Sequence, residues 1–131
     1  MARAERDRFG ERVLSTVDPS GLWFELIGAD DARTPWTGNG VDTPQAIRGI
    51  HSVTMVVHQA QPTVDLMTGL LGYSVVGQER NRTRLAAGPS VAGHFIDVVE
   101  DAHAPAAVNG NDGILVERRA LASRSGRRSA T

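Results

Sequence analysis

Four histidines and one isolated strand carboxylate are the residues of this sequence best suited to holding a metal. His51 opens the run "IRGIHSVTMVV" (47–57) and His58 follows its end. His94 stands in "GHFIDVV", His103 in a polar loop, and Glu25 in "LWFELIG". Imidazole nitrogen and carboxylate oxygen together make a donor set for first-row transition metals. Such a centre needs its ligands on one concave surface, and strand alternation determines which residues share a surface. In 48–57, His51, Val53, Met55 and Val57 fall on one face and Ser52, Thr54 and Val56 on the other. The first set is mostly apolar and is expected to pack on a helix, which turns the His51 imidazole away from any cavity. Glu25 shares a face with Trp23 and Ile27, a carboxylate without an identifiable partner. His94 is in phase with Ile96 and Val98, on a face that could line a cavity. His58 is expected at the surface.

The elements that position these residues follow from pattern. "ERVLSTV" (11–17) and "LWFELIG" (22–28) alternate as strands, and "DPSG" (18–21) joins them with Pro and Gly where a tight turn wants them. Residues 28–47 form a long connector rich in Gly, Pro, Asp and Thr, with Trp36 as its expected anchor. "QPTVDLMTGLLGY" (61–73) has Pro62 suited to a first turn. Val64, Leu66, Met67, Leu70 and Leu71 recur at helical spacing, and Gly72 is placed to end the helix. "YSVVGQE" (73–79), "RTRLAAG" (82–88) and "AGHFIDVVE" (92–100) read as three further strands. The order from 48 to 100 is β-α-β-β-β, an α+β pattern.

Composition narrows the function classes. The 131 residues allow one domain, and the 40% apolar content is that of a globular chain. No stretch approaches the roughly 20 apolar residues of a membrane span. There is no cysteine, so disulfides, thiolate catalysis and cysteine zinc sites are excluded. The charged N-terminus has no apolar segment of the secretory kind, which makes the cytoplasm the default location. All fourteen basic residues are arginine. Five of them fall after residue 117, where there is no acid. That tail, 118–131, has one large apolar residue and no periodicity, and is expected to be disordered. "ILVE" (114–117) reads as a short strand. Nothing pairs the basic tail with an aromatic platform, so a nucleic-acid partner is not expected.

Four segments together carry a resemblance: "RFGERVLSTVDPSGLWFELIG" (8–28), "PWTGNGVDTPQAIRGIHSVTMVV" (35–57), "LMTGLLGYSVVGQE" (66–79) and "GHFIDVVED" (93–101). The chain resembles the vicinal oxygen chelate superfamily of glyoxalases, bleomycin-resistance proteins and extradiol dioxygenases. It is most similar there to the two-domain hydroquinone-type ring-cleaving dioxygenases. The resemblance implies the end of one βαβββ module (1–28), an inter-module linker (29–47), a second βαβββ module (48–101), and a loop with a basic tail (102–131). It also implies that the chain is a truncated or frameshifted piece, with a natural, unstructured terminus as the competing explanation. Family members continue near residue 113 into a strand with paired histidines, where this chain reads "GILVERRALAS".

In function, the resemblance implies O2-dependent cleavage of small aromatic hydroquinones or catechols at a non-haem Fe(II) held by two histidines and one carboxylate. The family's ligand histidine aligns with Ser52, and His51 aligns with its non-ligand neighbour. Glu25 matches a ligand-type glutamate. The first and fourth modules of such proteins are expected to carry the iron, and this chain corresponds to the companion half. We therefore assign no catalytic, cofactor-binding or metal-ligating residue here and expect no cofactor on this chain alone. A site built from Glu25, His94 and a residue of another chain is the competing arrangement. The alternative function is a small-molecule-binding module of the bleomycin-resistance type, acting as a homodimer by module pairing.

Overall fold

In the computed structural model, residues 4–104 and 115–120 are described. They form an antiparallel three-stranded sheet, β1 (Ala4–Arg8), β2 (Glu11–Val17) and β3 (Trp23–Gly28), and a five-stranded mixed sheet. The mixed sheet contains β4 (Ile50–Val57), β5 (Ser74–Glu79), β6 (Arg82–Ala86), β7 (Phe95–Glu100) and β8 (Leu115–Ala120), in the order β5-β6-β7-β4-β8. One helix, α1 (Ala60–Gly69), follows β4. The β-α-β-β-β order of 50–100 and the α+β class are those expected from the sequence.

β1 was not legible in the sequence. "AERDR" has no apolar alternation, and its strand is fixed by its partner, with Arg6 opposite Val13 and Arg8 opposite Glu11. The chain reverses at Phe9 and Gly10, both with positive φ (49° and 74°). That pair of angles suits the right-handed twist of a two-residue hairpin. The second turn forms as expected. The Asp18 carboxylate accepts hydrogen bonds from the Ser20 amide and hydroxyl and from the Leu22 amide. Those bonds hold its pKa below the ordinary value, the Ser20 hydroxyl contributing most.

β4 runs parallel to β7, with Ser52 opposite Phe95 and Thr54 opposite Asp97. Parallel neighbours need a crossover, supplied here by α1 and the β5–β6 hairpin. α1 covers one face of this sheet. Its Met67 packs with Leu85 and Val98, flanked by Val57, Ala60, Val64, Tyr73 and Ile96. The expected helix to residue 73 ends earlier, at Gly69. Leu66, Leu70 and Leu71, part of the helical spacing in the sequence, are exposed. A helix this short presents one narrow stripe to its sheet, and Ala60, Val64 and Met67 fill it. Gly72 (φ 76°) then turns the chain, and the Tyr73 amide bonds the Met67 carbonyl at 3.0 Å.

β8 pairs antiparallel with the outer edge of β4 and reaches Ala120. The expected strand ended at 117 and the disordered tail began at 118. Residues 118–120 are instead strand, because an open edge offers hydrogen bonds that a tally of apolar residues does not register. Residues 121–131 of that expectation lie outside the described residues.

The connector 29–47 is anchored by Arg33 rather than by Trp36. The Trp36 ring is exposed and lies against Gly38. The Arg33 guanidinium is held by Asp31 through three hydrogen bonds and rests on Gly49 and Gly93. A Cβ on either glycine would lie 2.7 or 2.9 Å from Arg33 Nη1.

Candidate functional site

Between the two sheets, the face of the mixed sheet opposite α1 forms a cup. Alternation brings Ser52 and Thr54 of β4, Phe95 and Asp97 of β7, and Arg82 and Arg84 of β6 onto it. The β1–β2 turn enters this cup. The Phe9 amide donates to Glu79 at 2.7 Å, and Glu11 at the start of β2 reaches the floor.

The centre of the floor is a guanidinium. Arg84 Nε donates to Asp97 Oδ1 at 2.8 Å and Nη2 to Asp97 Oδ2 at 3.0 Å, a bidentate pair, while Nη1 donates to Glu11 Oε1 at 2.9 Å. Its Cζ lies 4.5 Å from the Phe9 ring centroid and 4.8 Å from that of Phe95, within cation–π range of both. Arg82 Nη1 also bonds Asp97 Oδ2, at 2.9 Å, and Thr54 Oγ1, at 3.0 Å. Asp97 is fully buried and Arg84 3% exposed. Burial alone would raise the Asp97 pKa. The Arg84 hydrogen bonds and charge, with Arg82 behind them, outweigh it and lower the value. Glu11 follows the same pattern: burial pushes up, and the bonds and charges of His51 and Arg84 bring the pKa down. Burial works against the Arg84 charge, yet Asp97 and Glu11 leave its pKa raised.

His51 corrects the reading made from strand phase. Its ring is fully buried on the cup side, with Nε2 3.1 Å from Glu11 Oε2, Nδ1 2.9 Å from Ser52 Oγ, and its centroid 5.5 Å from that of Phe95. The cause is a bulge. Against β8, Ile50 pairs with Ala120 and the next pair is Ser52 with Arg119, so His51 is the extra residue. A bulge breaks the two-residue alternation and re-aims a side chain. His51 and Ser52 therefore turn the same way.

His94 is also corrected. Ile96 packs against the α1 core and Val98 lies within it, so the face they share points away from the cup. His94 itself is exposed ahead of β7, its Nδ1 2.9 Å from the Ala87 carbonyl oxygen. His58 and His103 are exposed, with His58 Nε2 2.7 Å from the Ala104 carbonyl. Glu25 is buried, but its missing partner is found: Arg8 of β1 grips both of its oxygens, at 2.5 and 3.1 Å, with Ser15 Oγ at 3.3 Å. The structure brings His51 and Ser52 together with Glu11, and leaves Glu25, His58, His94 and His103 apart from that cluster.

Sequence reasoning missed Glu11, Arg82, Arg84, Asp97, Phe9 and Arg8. One signal was present. In "RTRLA" the two arginines share a face, and "FIDVV" places an acid in the middle of an apolar strand; the two segments are neighbouring strands.

A metal ion does not fit this donor set. Glu11 and Asp97 are bonded to Arg84, Glu25 is bonded to Arg8, and Ser52 supplies only a hydroxyl. Among the described residues, no three His, Asp or Glu side chains group so as to hold a metal. No described helix is long and apolar enough to cross a membrane.

No family model matches the chain. It is 34% identical over 99 residues to the Bacillus subtilis (strain 168) protein named "Putative ring-cleaving dioxygenase MhqE", covering 75% of this chain and 32% of the relative. It is 30% identical over 93 residues to the same organism's "Putative ring-cleaving dioxygenase MhqO", covering 70% and 30%. A crystal structure titled "putative dioxygenase" from Bacillus subtilis superposes with TM-score 0.66 at 28% identity, over 76% of this chain and 32% of that one. The chain spans about a third of the length of these relatives.

Proposed function

We propose, from the kinship of this chain with ring-cleaving dioxygenases of the vicinal oxygen chelate type, that it serves as the companion part of such an enzyme. The activity concerned is O2-dependent opening of hydroquinone or catechol-like rings. On this reading the iron is held by other modules, and residues 4–101 contribute scaffold. The observation that carries the reading is the position of Arg84. A permanent, immobile cation stands at the floor of the cup and binds the two inward carboxylates, Glu11 and Asp97, which a metal would need. Arginine does not lose its charge at any pH of interest, so deprotonation of Arg84 does not release the carboxylates. What the residues do instead is join the modules. Glu11 of β2 meets Arg84 of β6 and His51 of β4, and Phe9 covers Arg84, so the first sheet is tied to the second by charge and by an aromatic face.

The test is iron content and O2 uptake with substituted hydroquinones, using the purified chain reconstituted anaerobically with Fe(II). The expected result is no stoichiometric iron and no turnover. One equivalent of iron with turnover would overturn the reading.

A further inference from the structure

Arg48, at the end of the connector, is a cation without an acid. Its neighbour Arg33 is neutralised by Asp31. Arg48 instead donates from Nη1 to the Arg33 carbonyl oxygen, at 2.6 Å. Its Nε and Nη2, which form one edge of the guanidinium, have no partner among the described residues. Arg48 lines a cleft of about 640 Å³, with Val91 and Ala92 ahead of β7 as its apolar wall. We propose that this cleft binds the carboxylate of a small organic acid on the Nε–Nη2 edge of Arg48. None of the lining residues belongs to the Arg84 cluster, so the proposal goes beyond the scaffold role.

The chemistry and rigidity of the lining select this ligand. Two parallel N–H groups on one planar edge match the two oxygens of a carboxylate. The edge is held in place before any ligand arrives. Arg48 is tied to the Arg33 backbone, and Arg33 is fixed by Asp31 and by the glycine backbones at 49 and 93. Little side-chain freedom is then lost on binding. Arg48 is half-buried, so an ion pair there is partly shielded from water. Charge limits the ligand to one negative group. Asp31 lines the cleft, but its side chain is 3% exposed and already paired with Arg33. Asp30 also lines it and is exposed. A second negative charge on the ligand would find no further free cation and would meet Asp30. His94, the other basic residue of the lining, turns its Nδ1 to the Ala87 carbonyl at 2.9 Å. Val91 and Ala92 favour a ligand with an aliphatic body.

The test titrates the full chain with pivalate, pivalamide and sulfate at constant ionic strength, reading backbone amides and arginine Nε–H signals by NMR. Pivalate should bind with Kd on the order of 1–10 mM, as suits a ligand of this size. It should shift the Arg48 Nε–H and the Val91 and Ala92 amides and leave the Arg12 Nε–H, which is bonded to Glu5, in place. Pivalamide has the same shape without the charge and should bind about tenfold more weakly or worse. Sulfate, a dianion, should also bind more weakly than pivalate. Arg48→Lys keeps the charge and a donor for the Arg33 carbonyl but has no planar edge. It should keep the wild-type melting temperature and lose about tenfold in pivalate affinity, the worth of one hydrogen bond to a charged group. Equal binding of pivalamide or sulfate, unchanged binding by R48K, or an unmoved Arg48 Nε–H at about 50 mM pivalate would each overturn the proposal. The wild-type titrations decide the matter even where R48K does not fold. None of these outcomes bears on iron content or turnover, so this proposal and the companion-part reading fail separately.

Discussion

Replacing Arg84 with methionine tests the central joint. Methionine keeps much of the volume and removes the charge. Asp97, fully buried, would then rely on Arg82, and Glu11 on His51. Breaking a buried ion pair by removing one partner costs about 3–5 kcal/mol, since a charge is left in low dielectric. Arg82 bonds Asp97 Oδ2 and its side chain is 12% exposed, so it offsets a part, which places the expected loss near the lower bound, about 3 kcal/mol. For a domain of this size each kcal/mol lowers Tm by roughly 3–5 °C, giving a drop on the order of 10–15 °C. The assay is a thermal melt followed by circular dichroism, with the double variant Arg84→Met/Asp97→Leu alongside. Taking both charges away removes the stranded carboxylate, so the double variant should recover at least half of the loss. A fall of less than about 2 °C in the single variant, or a double variant worse than the sum of its parts, would refute the reasoning.

Other consequences follow from the same geometry. The folded pKa values of Glu11 and Asp97 lie below their ordinary 4.5 and 3.8. Their contribution is therefore fully present above those ordinary values and is lost as pH falls below them toward the folded values. Urea melts at pH 7, 5, 4 and 3 should show stability level to about pH 5 and then falling, and E11Q should flatten the slope. Ser52→His restores an imidazole at the position the family likeness assigns to a ligand. It should still bind no Co(II) by visible absorption, because Arg84 keeps both carboxylates. Gly93→Ala places a methyl 2.9 Å from Arg33 Nη1 at φ +95°, and should cost about 1–3 kcal/mol by chemical denaturation. Arg33→Ala in the same chain should return only the clash and leave the backbone strain. Glu25→Leu leaves Arg8, itself buried, without its bidentate partner, and should destabilise by about 3 kcal/mol or more.

What the sequence revealed was what periodicity can carry. The strands at 11–17, 50–57, 74–79 and 95–100 alternate, and Asp18 and Gly21 announce their turn. β1 could not be read because its residues are polar on both faces; it is a strand only because β2 offers an edge and Glu25 needs Arg8. The same omission made Glu25 look unpartnered. His51 was misread for a different reason. Alternation holds only while pairing is regular, and the one-residue bulge opposite β8 depends on residues more than sixty positions away. The ionic cluster is likewise non-local. Glu11 and Arg84 are 73 positions apart in sequence, and no spacing rule links them.

The cup can be understood as a charge problem with two solutions. A concave sheet that turns two carboxylates and an imidazole inward must supply a cation or leave buried negative charge, which costs several kcal/mol. A divalent metal is one answer, and it leaves open coordination sites where chemistry can occur. A guanidinium is the other. It satisfies the carboxylates with five fixed donors and presents flat faces to aromatic rings, but offers no vacant orbital to a ligand. In this chain Asp97, Glu11, Phe9 and Phe95 are arranged around the Arg84 guanidinium.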